Sequence, residues 1–311
     1  MSRLSISGRG GGPFRPRGRR AAENLAGSAF LMPIIAVFII LFAVPLAQTF
    51  YFSLTNFSGY STDVEFVGLK NYATVFSDPS LLQGLIFTIM FALATTVLIT
   101  VVAIPLAVVL NKRFLGRNLV RSLFFFLSVP SMAILGLVWQ YILSPLDNGV
   151  VNSLLHSLFG AEAVAWLAQS TSARVCVILV AVWAGVGWHA TLYLAYLQAI
   201  PADLYEQAEL DGAGQLQQFR HITLPQLAPG IVVSTFLLMS GGLKVYDLPF
   251  TLTKGGPGFA TNTLTQSIIV QGIAQGRADV GSALAVIFTA AVALIVLAQL
   301  VVSNRIERSL S

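Results

Sequence analysis

The chain has 311 residues, of which 56% are hydrophobic and 10% charged, with a net charge of +5 and a mean hydropathy of +0.78. Soluble domains carry about 25% charged residues, so this chain lacks the charge to coat a water-facing surface; that excludes a soluble enzyme and a disordered chain. A single cysteine, Cys176, excludes an internal disulfide framework, and the scattered histidines give no zinc-ligand spacing.

Residues 1–27 read as a disordered basic cytoplasmic tail, rich in Gly, Pro and Arg and suited to lie near anionic headgroups. A membrane span needs about 20 apolar residues. Long windows free of Asp, Glu, Lys and Arg predict six transmembrane helices, near 28–51, 83–110, 122–144, 174–198, 228–249 and 281–303. The fold class expected is therefore an all-α polytopic membrane protein, with a transmembrane permease domain over 28–303. The apolar run from Ala29 to Ala47 is too long for the core of a cleaved signal, so the first span is expected to stay as an anchor. Gly255–Gly276 also lacks charge, but its Gly, Thr, Gln and Asn content predicts an extramembrane loop.

Most Lys and Arg fall on one side. They sit in the N-terminal tail, in the connection holding Lys112, Arg113, Arg117 and Arg121, at Arg220, and at Arg305 and Arg308. The opposite side holds Lys70, Arg174, Lys254 and Arg277. This bias predicts that both termini are cytoplasmic, with 304–311 a cytoplasmic C-terminal tail.

The connection over 200–227 is unusual. Pro201 suits the first turn of a helix and Asp203 its positive end. Leu204, Tyr205 and Ala208 share a face, and Gly212 and Gly214 stop the helix. A second short helix is expected from Gln215 to His221, ending before Leu224-Pro225. Glu206, Glu209 and Asp211 put acid where the charge rule places bases. A structured, acidic, cytoplasmic hairpin is the expected form of a docking element.

Polar groups within spans are costly and point to pairing or function. Lys244 and Asp247 lie near the outer end of the fifth span; they either pair with each other or reach the interface, or they line the pore or its outer gate. Trp183, Trp188, His189 and Tyr193 lie on the fourth span, and Trp139-Gln140 near the end of the third. Aromatic faces with a few polar groups suit sugar rings, and the same residues also suit helix packing. The candidate substrate path is Trp139, Gln140, Trp188, Tyr193, Lys244, Tyr246 and Asp247. No catalytic set and no metal-ligand set is expected. The sequence has neither a G-x-x-x-x-G-K-[ST] phosphate loop nor a G-x-S-x-G elbow, so any ATP hydrolysis falls to a partner.

Glu206-Gln207-Ala208-Glu209-Leu210-Asp211-Gly212-Ala213, followed by Ile222-Thr223-Leu224-Pro225, resembles the EAA motif of binding-protein-dependent ABC importer permeases. Gln207 stands where the family usually has Ala. Phe66-Val67-Gly68-Leu69-Lys70-Asn71-Tyr72, Leu137-Val138-Trp139-Gln140 with Gly149 and Asn152, Leu243-Lys244-Val245-Tyr246-Asp247 and Gly255-Gly256-Pro257 are similar to segments of its carbohydrate-uptake branch, that of the maltose and glycerol-phosphate permeases. The resemblance covers roughly residues 26–303. It implies a type I importer permease in the bacterial inner membrane, in contact with lipid and not with nucleic acid. It implies as partners a second homologous permease subunit, two cytoplasmic ABC ATPase subunits that use the ATP and Mg, and an extracytoplasmic solute-binding protein. It implies ATPase-coupling roles for Glu206, Ala208, Asp211, Gly212, Ala213, Leu224 and Pro225. A competing class, an ATP-independent secondary transporter or channel, predicts paired intramembrane acids.

Overall fold

The computed structural model describes residues 31–60, 63–144, 146 and 149–310, with side chains through Val301. The basic tail expected over 1–27 lies outside the described residues. The chain divides into two units, Met1–Tyr51 and Phe52–Ser311. In the first, helix α1 (Leu31–Phe52) is predominantly apolar and long enough to cross a membrane. One π turn, Ile39–Ala43, interrupts its α geometry.

The second unit is helical among the described residues, apart from one isolated antiparallel bridge between Thr55 and Phe66. Buried Asn71 braces that bridge, donating from Nδ2 to the carbonyls of Ser53 and Thr55 at 3.0 and 2.7 Å. Its helices in order are α2 (Lys70–Ser77), α3 (Pro79–Asn111), α4 (Arg117–Phe126), α5 (Met132–Ile142), α6 (Val150–Phe159) and α7 (Ser170–Gln198). After them come α8 (Ala202–Leu210), α9 (Gln215–Gln226), α10 (Ala228–Leu243), α11 (Asp247–Thr253), α12 (Leu264–Ala274) and α13 (Ala278–Leu310).

α3 starts where Asp78 caps it, accepting from the Ser80 amide at 2.9 Å. Pro79 suits the first turn. α3 then packs along α7. In their inner halves Ile99, Ala103 and Ala107 meet Val186, Ala190 and Tyr193, with Leu227 below. In their outer halves Phe87 and Phe91 meet Val177 and Val180, together with Leu248 and Leu252 of α11. A third cluster joins Val75, Leu81 and Leu264 to Val280 and Leu284 of α13. Lipid tails are as apolar as leucine, so close van der Waals contact holds such helices together, and small residues allow it. At Gly187 any Cβ would overlap the Phe124 carbonyl, and at Gly281 it would lie 2.6 Å from the Gly272 Cα. Three interior hydroxyls are satisfied locally: Thr88, Thr95 and Thr191 each donate to the carbonyl one turn back.

The expected spans differ from the helices in three ways. Among the described residues four helices, α1, α3, α7 and α13, are long and apolar enough to cross a membrane alone, and α9 with α10 makes a fifth if that pair, bent by 63°, is one span. The segment expected as one span over 122–144 is two helices, α4 and α5, separated at 127–131. Pro130 lacks a donor and disfavours helix at Val129, and Ser128 spends its hydroxyl on the Ala184 carbonyl of α7 at 2.8 Å. The span expected over 228–249 stops at Leu243 and resumes as α11.

The segment expected as a loop over Gly255–Gly276 contains α12, with Leu264, Gln266, Ser267 and Gln271 buried. Its polar side chains face protein rather than lipid. Leu264 N donates to Thr88 Oγ1 of α3 at 2.8 Å, and Gln266 Nε2 to the Lys254 carbonyl at 3.1 Å. The helix expected to end before Leu224-Pro225 runs on to Gln226 and bends there. α13 continues to Leu310, through the segment expected as a C-terminal tail.

Candidate functional site

The hairpin over 200–227 is the most distinctive surface of the second unit. α8 begins after Pro201, with Asp203 in its first turn. It closes at Leu210, where the amides of Asp211, Gly212 and Ala213 donate back to the carbonyls of Gln207, Glu209 and Ala208 at 3.1, 3.0 and 2.9 Å. Gly212 takes a φ of +79°, a left-handed turn that suits glycine. α9 begins after Gly214, whose amide donates to Gln217 Oε1 at 2.8 Å. Gln218 Nε2 ties the two helices by donating to the Ala213 carbonyl at 3.1 Å.

The tip of this hairpin is ordered and uncovered. Leu210 is 89% and Leu216 79% exposed, flanked by exposed Glu206, Glu209 and Asp211. Two exposed apolar side chains thus stand beside carboxylates on one surface, a composition found at protein interfaces. Ala208 and Ala213 are half-buried at the turn, Leu224 is exposed and Pro225 half-buried at the stem. The structure brings Glu206 to Ala213 together at the tip, and it sets Leu224 and Pro225 apart from them near the bend.

The stem is held by cross-ties. Tyr205 Oη and Thr223 Oγ1 lie 3.0 Å apart. Gly230 of α10 lies face to face with the Tyr196 ring of α7, so close that a Cβ there would stand 2.7 Å from it. Deeper still, His189 Nδ1 of α7 and Ser234 Oγ of α10 are 2.8 Å apart and both buried. Between these ties a cleft of about 550 Å³ separates the hairpin from the inner ends of α3 and α7; Asn111, Lys112, Leu197, Glu209 and Phe219 line it. The hairpin is therefore gripped at its stem and stands free at its tip.

The other predicted residues do not form one site. Trp139 of α5 meets Trp183 edge to face, with ring centroids 5.2 Å apart, while Gln140 is exposed. Trp188 stands edge-on to His189 at 4.7 Å. Tyr193 is fully buried between α3 and α7, and its hydroxyl has no hydrogen-bond partner among the described residues. Lys244 and Asp247 are both exposed and make no ion pair with each other among the described residues, whereas Tyr246 stacks on Phe250 at 5.1 Å. Sequence reasoning missed Ser128 and Ser234; each is a serine inside an apolar run, and its partner lies far away in sequence.

A sequence profile for the binding-protein-dependent transport system inner membrane component family matches residues 99–311. The chain belongs to this family of ABC permeases. Its relatives include the probable starch degradation products transport system permease protein AmyD of Thermoanaerobacterium thermosulfurigenes. That protein is 31% identical over 278 residues, which cover 89% of this chain and 94% of the relative. Another is the trehalose/maltose transport system permease protein MalF of Thermococcus litoralis, 32% identical over 243 residues, 78% of this chain and 82% of the relative. A bacterial ABC transporter involved in import of the acidic polysaccharide alginate has the same fold. Its TM-score is 0.79 at 24% identity, over 92% of this chain and 98% of that one. The permease is thus an all-α inner-membrane transport component, and its relatives are named as transport subunits, not catalysts.

Proposed function

We propose that this permease is the membrane-spanning subunit of an ATP-driven importer for a carbohydrate or related polar solute. A solute-binding protein delivers the solute at the outer face. A second permease completes the pore, and two cytoplasmic ATPases, which use ATP and Mg, supply the energy. The relatives named for starch products and trehalose/maltose support the solute class. An alginate transporter solved with a solute-bound periplasmic protein supports the delivery step.

The observation that carries the coupling role is the hairpin tip. Leu210 and Leu216 suit an apolar groove on an ATPase, and Glu206 and Asp211 suit basic groups on its rim. Closure of the ATPase pair then drives the hairpin sideways. Tyr205–Thr223 ties the two hairpin helices to each other and His189–Ser234 ties α7 to α10; the hairpin joins these two spans in the chain, so they follow it, as in other rigid-body switches.

The test is reconstitution of the full complex. Leu210→Glu places a charge in the docked contact and is expected to weaken ATPase retention roughly tenfold, as loss of one interface anchor does. Uptake falls with it while the permease stays in the membrane. Uptake by the permease alone, driven by an ion gradient and indifferent to ATP, overturns the reading.

A further inference from the structure

The turn that joins α3 to α4 carries four bases in ten residues, Lys112, Arg113, Arg117 and Arg121, and no acid lies between Asp78 and Asp147. The backbone leaves α3 at Lys112 and enters α4 after Gly116, whose φ is +81°. Arg121 closes the turn: its Nε and Nη2 donate to the Leu110 carbonyl at 3.2 and 2.7 Å. Lys112 and Arg113 are exposed and Arg117 is half-buried. Glu209 of the hairpin shares a cleft with Lys112, and one carboxylate beside these bases leaves the turn positive.

α4 runs from this turn into the membrane along α7. Phe124 lies against Gly187, and Ser128 bonds Ala184, so the two helices run in opposite directions. The turn therefore sits near the Gln198 end of α7, on the side of the hairpin. Val120 packs against the core that α3 and α7 share. Leu119, Leu123 and Phe126 fall on one face of α4, and all three are exposed. Leu115 precedes Leu119 at the same spacing and is fully exposed. An apolar stripe thus begins at the bases and continues into the bilayer.

The turn also encloses a hollow of about 520 Å³, lined by Arg113, Phe114, Arg117, Asn118 and Leu119. Guanidinium forks match the oxygens of a phosphate, and the apolar wall of the hollow leads into the stripe. A soluble ATPase meets the bases but does not follow an apolar stripe into the bilayer. A phospholipid meets both, with its headgroup on the bases and a chain along the leucines. Clustered bases at the membrane surface favour lipids of net negative charge.

We propose that this turn is a binding site for an anionic phospholipid of the leaflet on the hairpin side. The phosphodiester sits between Arg113 and Arg117, Lys112 adds charge from the rim, and one acyl chain lies along Leu119, Leu123 and Phe126. Arg121 is a positioning residue: held by the Leu110 carbonyl, it fixes the angle at which α4 leaves α3. A choline headgroup carries a cation that offsets its phosphate, so the site selects by net charge. The site goes beyond the importer reading and requires only that the chain spans a membrane.

The test uses the full-length permease with the subunits that purify with it, free of other reactive cysteines, in nanodiscs made largely of phosphatidylcholine. On a Cys176→Ala parent, Leu115→Cys carries an environment-sensitive fluorophore on the new thiol. Val101→Cys, at an exposed apolar position on α3, is the control. The discs contain the same small fraction of nitroxide-labelled phosphatidylglycerol or nitroxide-labelled phosphatidylcholine. At residue 115 phosphatidylglycerol is expected to quench roughly tenfold more strongly per mole, and at residue 101 the two lipids are expected to quench alike. The preference is expected to vanish at about 1 M salt, where the Debye length is about 3 Å, and in Arg113→Gln/Arg117→Gln. If that variant fails to insert, the salt series on the unaltered bases still decides. Equal quenching by the two lipids at residue 115, or the same preference at residue 101, overturns the site. A preference that survives high salt overturns the role of the bases. Quenching by neither lipid overturns the site as well, and shielding of the fluorophore that depends on the ATPase subunits then identifies a protein as the occupant.

Discussion

Gly212 shows how one residue governs the hairpin. Its φ of +79° costs an L-residue about 1–2 kcal/mol, yet nothing stands within 4 Å of where a Cβ would be. Gly212→Val is therefore expected to unsettle the turn through backbone conformation alone and to lower ATP-driven uptake, with membrane insertion unchanged. Gly212→Asn, which tolerates the left-handed region, is expected to retain more uptake than Val; equal loss in both variants counts against a conformational cause. Asp78 makes a second case. Hydrogen bonding from the Ser80 side chain holds its carboxyl below the ordinary carboxylate range. The folded pKa is depressed, so the cap stabilises fully above the unfolded value and fades as pH falls through the folded one. Asp78→Ala is expected to cost about 1 kcal/mol near neutrality. Thermal unfolding of purified permease should show the gap from wild type closing below about pH 4.

At the scale of elements, the ties between helices decide which sequence features were legible. The hairpin was readable because Pro201, Gly212 and Gly214 act locally. Its end was not: Pro225 suggested a stop, but the helix continues to Gln226 with Leu227 buried below it. The interruption at 127–131 escaped because Leu127 and Val129 keep the run apolar; only the distant contact of Ser128 with Ala184 reveals it. The segment after Gly255 looked like a loop because its side chains are polar, and composition does not disclose that Thr88 receives the Leu264 amide.

Two predictions belong to this scale. Gly187→Leu drives a side chain into the Phe124 carbonyl and is expected to cost upwards of ~2 kcal/mol, read as loss of monodisperse protein in detergent. Ser234→Ala leaves the buried His189 nitrogen without its partner and is expected to cost about 1 kcal/mol. Adding His189→Leu should cost less than the sum of the single changes, and strict additivity in thermal unfolding counts against the tie.

At the scale of the whole molecule, the scarcity of charge identified a membrane protein, and the position of the acids singled out the surface that we propose meets the ATPase. The apolar runs were legible because a helix in lipid must be apolar throughout, and no tertiary contact is needed to see that. The path was less legible: the aromatic residues that suit a sugar are dispersed, with Tyr193 in the packing and Trp139 against Trp183.

The bend between α9 and α10 has a mechanical consequence. Two backbone hydrogen bonds hold it, from the Leu227 amide to the Thr223 carbonyl at 2.9 Å and from the Ile231 amide to the Leu227 carbonyl at 3.0 Å, so the two arms form a crank of 63°. A thrust delivered along the short arm is resolved into two parts. Less than half goes along the axis of the long arm and the rest goes across it, so the outer end of α10 swings more than it slides.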